Sequence, residues 1–300
     1  MNGSTCSQRQ LSIANHSAWQ TAPMSDDDDS ASLDATNRPL WSGVAAEYAI
    51  EGWGDPGEPG ALILAADGAR GRPVLDLGVG GGRTTALLRL VSSVYVGIDY
   101  TPELVELCRR RHPDADIRLG DARDLSDIPD GSQGLVFFSN NGIDAVDHDG
   151  RERVLAEAHR VLGADGVLCY STLNKDGPLF GAHPGNAPGI TWEIGSLLPA
   201  PTDAPGSADD GGGSDSGMRA VRNWRRLRGQ SRDEGDWGLA PFAAHEFGLV
   251  THFVTLAGAR DELDRHGFAL DAVVPCDRPV PLGPGEGTDA LYFHLVAHRR

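Results

Sequence analysis

Residues 74–83 read V-L-D-L-G-V-G-G-G-R, an apolar run carrying one acid that breaks into four glycines within five positions. A short strand feeding such a turn, and then a helix, is how open α/β sheets hold nucleotide-like ligands beyond their strand ends. The register narrows the ligand. A dinucleotide fingerprint needs G-x-G-x-x-G. Counted from Gly78 and Gly80, the third glycine falls on Arg83; counted from Gly80 and Gly82, it falls on Thr85. No Gly-Lys-Ser/Thr triplet occurs, so a Walker-type phosphate loop is absent as well. The stretch spells D-x-G-x-G-x-G instead, over Asp76, Gly78, Gly80 and Gly82.

The chain around this turn alternates between strand and helix periodicity. Apolar strands are predicted at 73–77, 94–98, 115–119, 134–139 and 166–172, with later ones at 248–255, 268–274 and 290–297. Helical spacing occupies 82–91, 101–111, 151–162 and a stretch near 258–266. Thr101 and Pro102 suit the start of the second of these, and Arg109 to Arg111 its end. Such alternation implies right-handed βαβ crossovers and a doubly wound, mostly parallel α/β sheet of Rossmann-like type. Its ligands bind at the carboxyl ends of the strands.

Two further acids stand at strand ends. Asp99 closes V-Y-V-G-I-D, where a carboxylate can accept both hydroxyls of a ribose, and Tyr100 follows it. Asp121 sits in L-G-D-A-R-D-L, after the third strand, with Ala122 next to it. Asp76, Asp99 and Asp121, each at the end of successive strands, resemble the pattern of class I S-adenosylmethionine-dependent methyltransferases. That resemblance implies a seven-stranded sheet with its last strand antiparallel, and S-adenosylmethionine as cofactor. It further implies that the glycine turn cradles the methionine part and that Asp76 helps hold its ammonium. Asp121 and the amide of Ala122 would bind the adenine, and Tyr100 would lie along it. Arg83 and Thr84 could add polar contacts.

The fourth strand runs into F-F-S-N-N-G-I-D-A-V-D-H, residues 137–148. With Y-S-T-L-N at 170–174 it resembles a bacterial subgroup that reads F-S-x-N-G-I-D and later F-S-T-x-N. The departing methyl group faces this edge in the family, so Asn140 and Asn141 offer amide contacts there. Methyl transfer from a sulfonium is a direct displacement that depends chiefly on alignment. A hydroxyl acceptor gains from a base, an amine acceptor less so. His148 and His245 are the leading base candidates, with Asp144 and Asp147 behind them; His252 and His294 fall in strand patterns and are expected to pack. Trp41, Tyr48 and Trp53 precede the first strand, where N-terminal segments of this family often close over the cofactor. Six arginines and no acid occupy 219–232, either a clamp for an anionic substrate or a solvated helix.

Charge and composition bound the partners. A net charge of −17 opposes general binding to nucleic acid or anionic membrane, and a small-molecule acceptor is expected. No N-P-P-Y sequence follows the fourth strand, which argues against base-amine methylation. Residues 1–36 are rich in Ser, Asn, Gln and Asp, and 199–217 in Gly, Ser, Pro and Asp, predicting a disordered acidic tail and a flexible insertion in a methyltransferase domain spanning 37–300. The cysteines show no metal-like spacing, so no metal is expected, and no secretory signal or membrane span is evident, so the chain is expected in the cytoplasm. An aminopropyl-type transferase and a non-catalytic cofactor-binding protein share these motifs and remain alternatives.

Overall fold

The computed structural model describes residues 33–44, 54–186 and 213–300. Tyr48, Trp53, the run Asp26 to Asp29 and residues 199–212 of the expected insertion lie outside the described residues. Helix α1 (Leu33–Val44) and α2 (Gly57–Asp67) come first. The alternating core follows as β1 (Val74–Leu77), α3 (Thr85–Val91), β2 (Tyr95–Asp99), α4 (Pro102–Arg111), β3 (Asp116–Leu119), β4 (Gln133–Phe138), α5 (His148–Val161) and β5 (Leu162–Leu173). Beyond it come α6 (Gly213–Leu227), β6 (Arg232–Asp233), β7 (Trp237–Phe242), β8 (Leu249–Val254), α7 (Leu256–Arg265), β9 (Phe268–Pro275) and β10 (Tyr292–Arg299).

Seven strands form one sheet in the order β3-β2-β1-β4-β5-β10-β9. β1, β2, β3, β4 and β5 pair in parallel. β10 is antiparallel to both β5 and β9, so the last strand of the chain is the reversed one and lies inside the sheet. The chain winds outward from β1 to β3 and then returns to place β4 beside β1. That reversal opens a crevice at the carboxyl ends of β1 and β4. β1 and β4 are buried at every position because helices cover both faces. Leu75, Val136 and Phe293 pack under α5 and α7, whereas Val74, Leu135 and Val296 pack under α2, α3 and α4.

Three features depart from the sequence reading. β8 is not in the main sheet; it forms an antiparallel sheet of order β6-β7-β8. A short apolar strand records burial, and it does not record which sheet buries it. This small sheet touches the end of β5, where the Lys175 amide donates to the Val254 carbonyl at 3.0 Å. Residues 33–36, read as the end of the tail, belong to α1, and residues 213–217 belong to α6 rather than to the insertion. Among the described residues no helix is long and apolar enough to cross a membrane.

Candidate active site

A cleft of about 970 Å³, counted to its open mouth, lies at the crevice between β1 and β4. Asp76, Gly78, Gly80, Asp99, Tyr100, Ala122 and Asn140 all line it, as do Trp41 and Ser139. The glycine turn divides its labour. Gly80 has φ +55°, and a Cβ there would meet nothing closer than 3.9 Å, so its face is open to a ligand. Gly78 has φ +60°, and a Cβ would sit 2.5 Å from the Phe138 ring. Gly82 differs from the expectation: it does not line the cleft. At φ +86° a Cβ would meet His112 at 2.5 Å and the Cys108 sulfur at 2.8 Å, so Gly82 seats the turn on α4.

Asp76 is buried and takes both of its hydrogen bonds on Oδ2, from the Thr84 hydroxyl at 2.9 Å and the Tyr95 hydroxyl at 2.8 Å. Burial pushes its carboxyl up to about 7, against the opposing pull of those hydroxyls. A ligand ammonium beside it would favour the ionised form. Thr84 therefore reaches Asp76 itself. Arg83 is anchored too: its Nη1 meets Glu58 Oε2 at 2.5 Å and its Nη2 meets Glu58 Oε1 at 2.7 Å. Arg83 Nη2 also donates to the Ser139 hydroxyl at 2.6 Å, and that hydroxyl donates to Glu58. Glu58 belongs to α2 and was not singled out from the sequence. It ties α2 to the glycine turn and to the end of β4.

Asp99 accepts from the Gly80 amide on Oδ2 at 2.9 Å and from the Thr101 amide on Oδ1 at 2.8 Å. Each oxygen keeps a further lone pair for a ribose hydroxyl. The Tyr100 ring lies under the Arg38 guanidinium at 4.5 Å, and its hydroxyl is buried with no hydrogen-bond partner among the described residues. Asp121 departs from expectation. Gly120 and Ala122 line the cleft, but Asp121 between them does not. Its Oδ1 accepts from the Arg123 amide and Nε, both at 2.9 Å, and its Oδ2 from Arg123 Nη2 at 2.6 Å. A carboxylate so bound by its neighbour orders the turn.

The acceptor edge lies beyond β4. Asn140 and Asn141 both adopt positive φ, +52° and +58°, which turns the chain sharply into the 3-10 turn Gly142–Ala145. Asp144 is fully buried, where it receives Arg151 Nη1 at 2.6 Å and the Leu173 amide at 2.7 Å. Asp147 caps α5 through the Gly150 amide at 2.8 Å. Neither acid is placed to act as a base. His148 is also corrected. It does not line the cleft, but stacks on Trp237 of β7 at 4.0 Å with the rings 1° from parallel. Its Nδ1 sits 3.2 Å from Nε2 of His252, which is buried on β8. His294 is likewise buried, paired with Asp55 at 3.0 Å.

His245 does not line the cleft either, but it lies behind one of its wall residues. It meets Trp41 of the cleft wall edge-on at 5.6 Å between ring centres. His245, Glu246 and Phe247 carry φ of +51°, +54° and +58° in succession. Three non-glycine residues in this conformation store strain of the kind that collects at functional sites. α6 braces the turn: Arg219 Nε meets Glu246 Oε2 at 2.8 Å and Asn223 Nδ2 donates to the Glu246 carbonyl at 3.0 Å. Arg222, Arg225 and Arg226 of the same helix are exposed and make no ion pair among the described residues. They read as a solvated face.

The sheet order, the glycine turn and the acids at the ends of β1 and β2 have the arrangement of class I S-adenosylmethionine-dependent methyltransferases. The open face at Gly80, the lone pairs left on Asp99 and the Tyr100 hydroxyl, unpartnered among the described residues, suit an adenosyl group with an ammonium such as S-adenosylmethionine carries. Residues 74–166 match the family described as a methyltransferase domain. Over 106 residues the chain is 33% identical to a Mycolicibacterium smegmatis protein named "Probable S-adenosylmethionine-dependent methyltransferase". That match takes in 35% of this chain and 39% of the relative, so the chain spans about two-fifths of the length of the curated relative it matches. Among solved structures it is similar to the Burkholderia thailandensis 1,6-didemethyltoxoflavin-N1-methyltransferase with bound 1,6-didemethyltoxoflavin and S-adenosylhomocysteine. The TM-score is 0.54 at 16% identity, covering 93% of this chain and 92% of that one. The DhpI-SAM-HEP complex is similar at TM-score 0.53 and 17% identity, covering 91% of this chain and 100% of that one. At these identities the likeness is one of fold.

Proposed function

We propose that the chain methylates a small-molecule acceptor with S-adenosylmethionine by in-line displacement. The observation that carries this reading is the placement of Asp76, Gly80 and Asp99 around one cleft whose far wall is Trp41 and whose edge is the Asn140 turn. When bound, the cofactor supplies a methyl carbon made electrophilic by its sulfonium. Asp99 would hold the ribose, Asp76 the ammonium, and the Gly80 face would admit the methionine part. Fixing these ends leaves the methyl carbon a defined approach, from which most of the rate can come. His245, beside Trp41, is the proton acceptor for a hydroxyl acceptor; an amine acceptor would need it less.

The net charge of −17 supports a small acceptor over a polyanion. Two steps test the proposal. Calorimetry with S-adenosylmethionine, S-adenosylhomocysteine and NAD should show heat for the first two alone; binding of NAD only would sink it. Screening small-molecule extracts for a gain of one methyl in mass should then reveal the acceptor. Tight cofactor binding with no methylated product across such screens would instead favour a non-catalytic binder.

A further inference from the structure

The one fully buried polar residue of α1 has three bonds, and all of them leave the helix. Asn37 donates through Nδ2 to the Ala145 carbonyl at 2.8 Å and to the Val250 carbonyl at 2.9 Å. Its Oδ1 accepts from the Val250 amide at 3.3 Å. The side-chain amide thus pairs with Val250 as a neighbouring strand would, while also reaching the turn after β4. It joins the acceptor edge of the cleft to the small sheet.

We infer that Asn37 is a positioning residue that fastens α1 as a strap across the cofactor cleft. This rests on the reading of that cleft as the S-adenosylmethionine site. The helix has 12 residues, with Pro39 inside it. A helix so short is marginal alone, and the proline removes one backbone donor. Its apolar anchorage is slight: Leu33 is buried against Leu227 and Val250, while Leu40 and Trp41 are partly buried. Asn37 stands within that stripe, one turn from Leu33 and one from Trp41. The residues it holds in place are those that meet the cleft. Trp41 forms part of its wall, and Arg38 lies over the Tyr100 ring at 4.5 Å. Without the amide, the carbonyls of Ala145 and Val250 lose their donor and α1 loses its central anchor.

The test is the dissociation of S-adenosylhomocysteine from the full chain, followed by stopped flow, with hydrogen exchange read alongside. Asn37→Ala should release the ligand about 10- to 100-fold faster, with association changed less than about 3-fold. Exchange should quicken in residues 33–44 and stay unchanged in β1 and β4. Asn37→Asp supplies a signature that simple loss of packing would not give. Its carboxylate cannot donate, but its protonated form can, so its affinity relative to that of the unaltered chain at the same pH should recover as pH falls. An unchanged dissociation rate in Asn37→Ala, with 33–44 exchanging freely, overturns the strap. Should Asn37→Ala fail to fold, Asn37→Ser and the pH series of Asn37→Asp decide by the same criterion. Failure of the unaltered chain to bind S-adenosylhomocysteine would overturn the cofactor site itself, which is a separable result.

Discussion

The Asp99 carboxylate holds the amide of Gly80 at 2.9 Å, so the acid at the end of β2 shapes the turn at the end of β1. One residue therefore orders the glycine turn and, in the proposed cofactor site, would offer oxygens to the ribose. Asp99→Ala removes both and should weaken S-adenosylhomocysteine binding by about 100-fold or more. Asp99→Asn retains one accepting oxygen and should fall between. Calorimetry reads both, and an unchanged affinity in Asp99→Ala would remove the ribose assignment.

The glycines of the turn should separate into two phenotypes. Gly80→Ala places a methyl group on the open ligand face and costs about 1–2 kcal/mol for its left-handed backbone. It should bind cofactor poorly while remaining folded. Gly82→Ala drives a methyl group into His112 and Cys108, with an expected loss of about 2–4 kcal/mol in stability. Its residual folded fraction should bind with near-normal affinity. Denaturant melts paired with titrations of each variant check the separation. Equal affinity losses in both would contradict it.

Asp76 makes cofactor affinity depend on pH. Burial raises its carboxyl to about 7 from the 3.8 of an exposed aspartate. The stability it contributes without ligand is complete below 3.8 and is lost as pH rises through about 7. A cofactor ammonium prefers the carboxylate, so affinity should rise with pH, by at most about tenfold per unit below 7, and level off above it. Below 7, binding should release a proton, visible as a dependence of the calorimetric heat on buffer. Asp76→Asn should bind weakly at every pH with a flat profile; a slope as steep as that of the unaltered chain would assign the titration elsewhere.

The residues legible in the sequence are those whose partners are close along the chain. Asp76 reaches Thr84 and Tyr95, and Asp99 reaches Gly80 and Thr101, all within the first two βα units. The strand-end rule suffices to place them. Asn37 and Glu58 carry equal structural weight, but their partners Val250 and Ser139 lie 213 and 81 residues away. The signal for Asn37 was a polar residue inside an apolar helical stripe, and for Glu58 an acid ahead of an apolar helix. Neither pattern names a partner. Asp121 was placed at the correct strand end, but the pattern could not show that Arg123, two residues on, would take up its carboxylate.

Glu58 and Arg83 form a buried pair that should behave as a unit. Glu58→Ala leaves the guanidinium without its counter-charge and should cost about 3–5 kcal/mol. Replacing both, as Glu58→Leu with Arg83→Met, should recover much of that loss, because an apolar pair avoids the desolvation of two charges. Cofactor affinity should nevertheless stay reduced in the double variant, since Ser139 at the cleft edge loses both partners. Chemical denaturation of the two single variants and the double gives the coupling. Additive losses would show that the two side chains are not energetically linked.

His148 and His245 were equivalent in sequence, both loop histidines near the expected acceptor edge, and the fold separates them. The turn Gly142–Ala145 and the Asp147 cap rotate His148 toward the small sheet, where Trp237 and His252 enclose it. Burial, together with the charge of Arg151, pushes His252 well below the usual imidazole range, so it stays neutral and its contact with His148 serves packing. His148→Gln should therefore lower stability by about 1 kcal/mol through the lost stacking and change methyl transfer less than about twofold. His245→Gln should leave cofactor binding intact and slow transfer to a hydroxyl acceptor by about 100-fold or more. Transfer is measured with labelled cofactor and the acceptor found by mass shift, across pH 6 to 9. A folded His148→Gln without turnover, alongside a fully active His245→Gln, would reverse the assignment and move the reacting edge to the face of the small sheet.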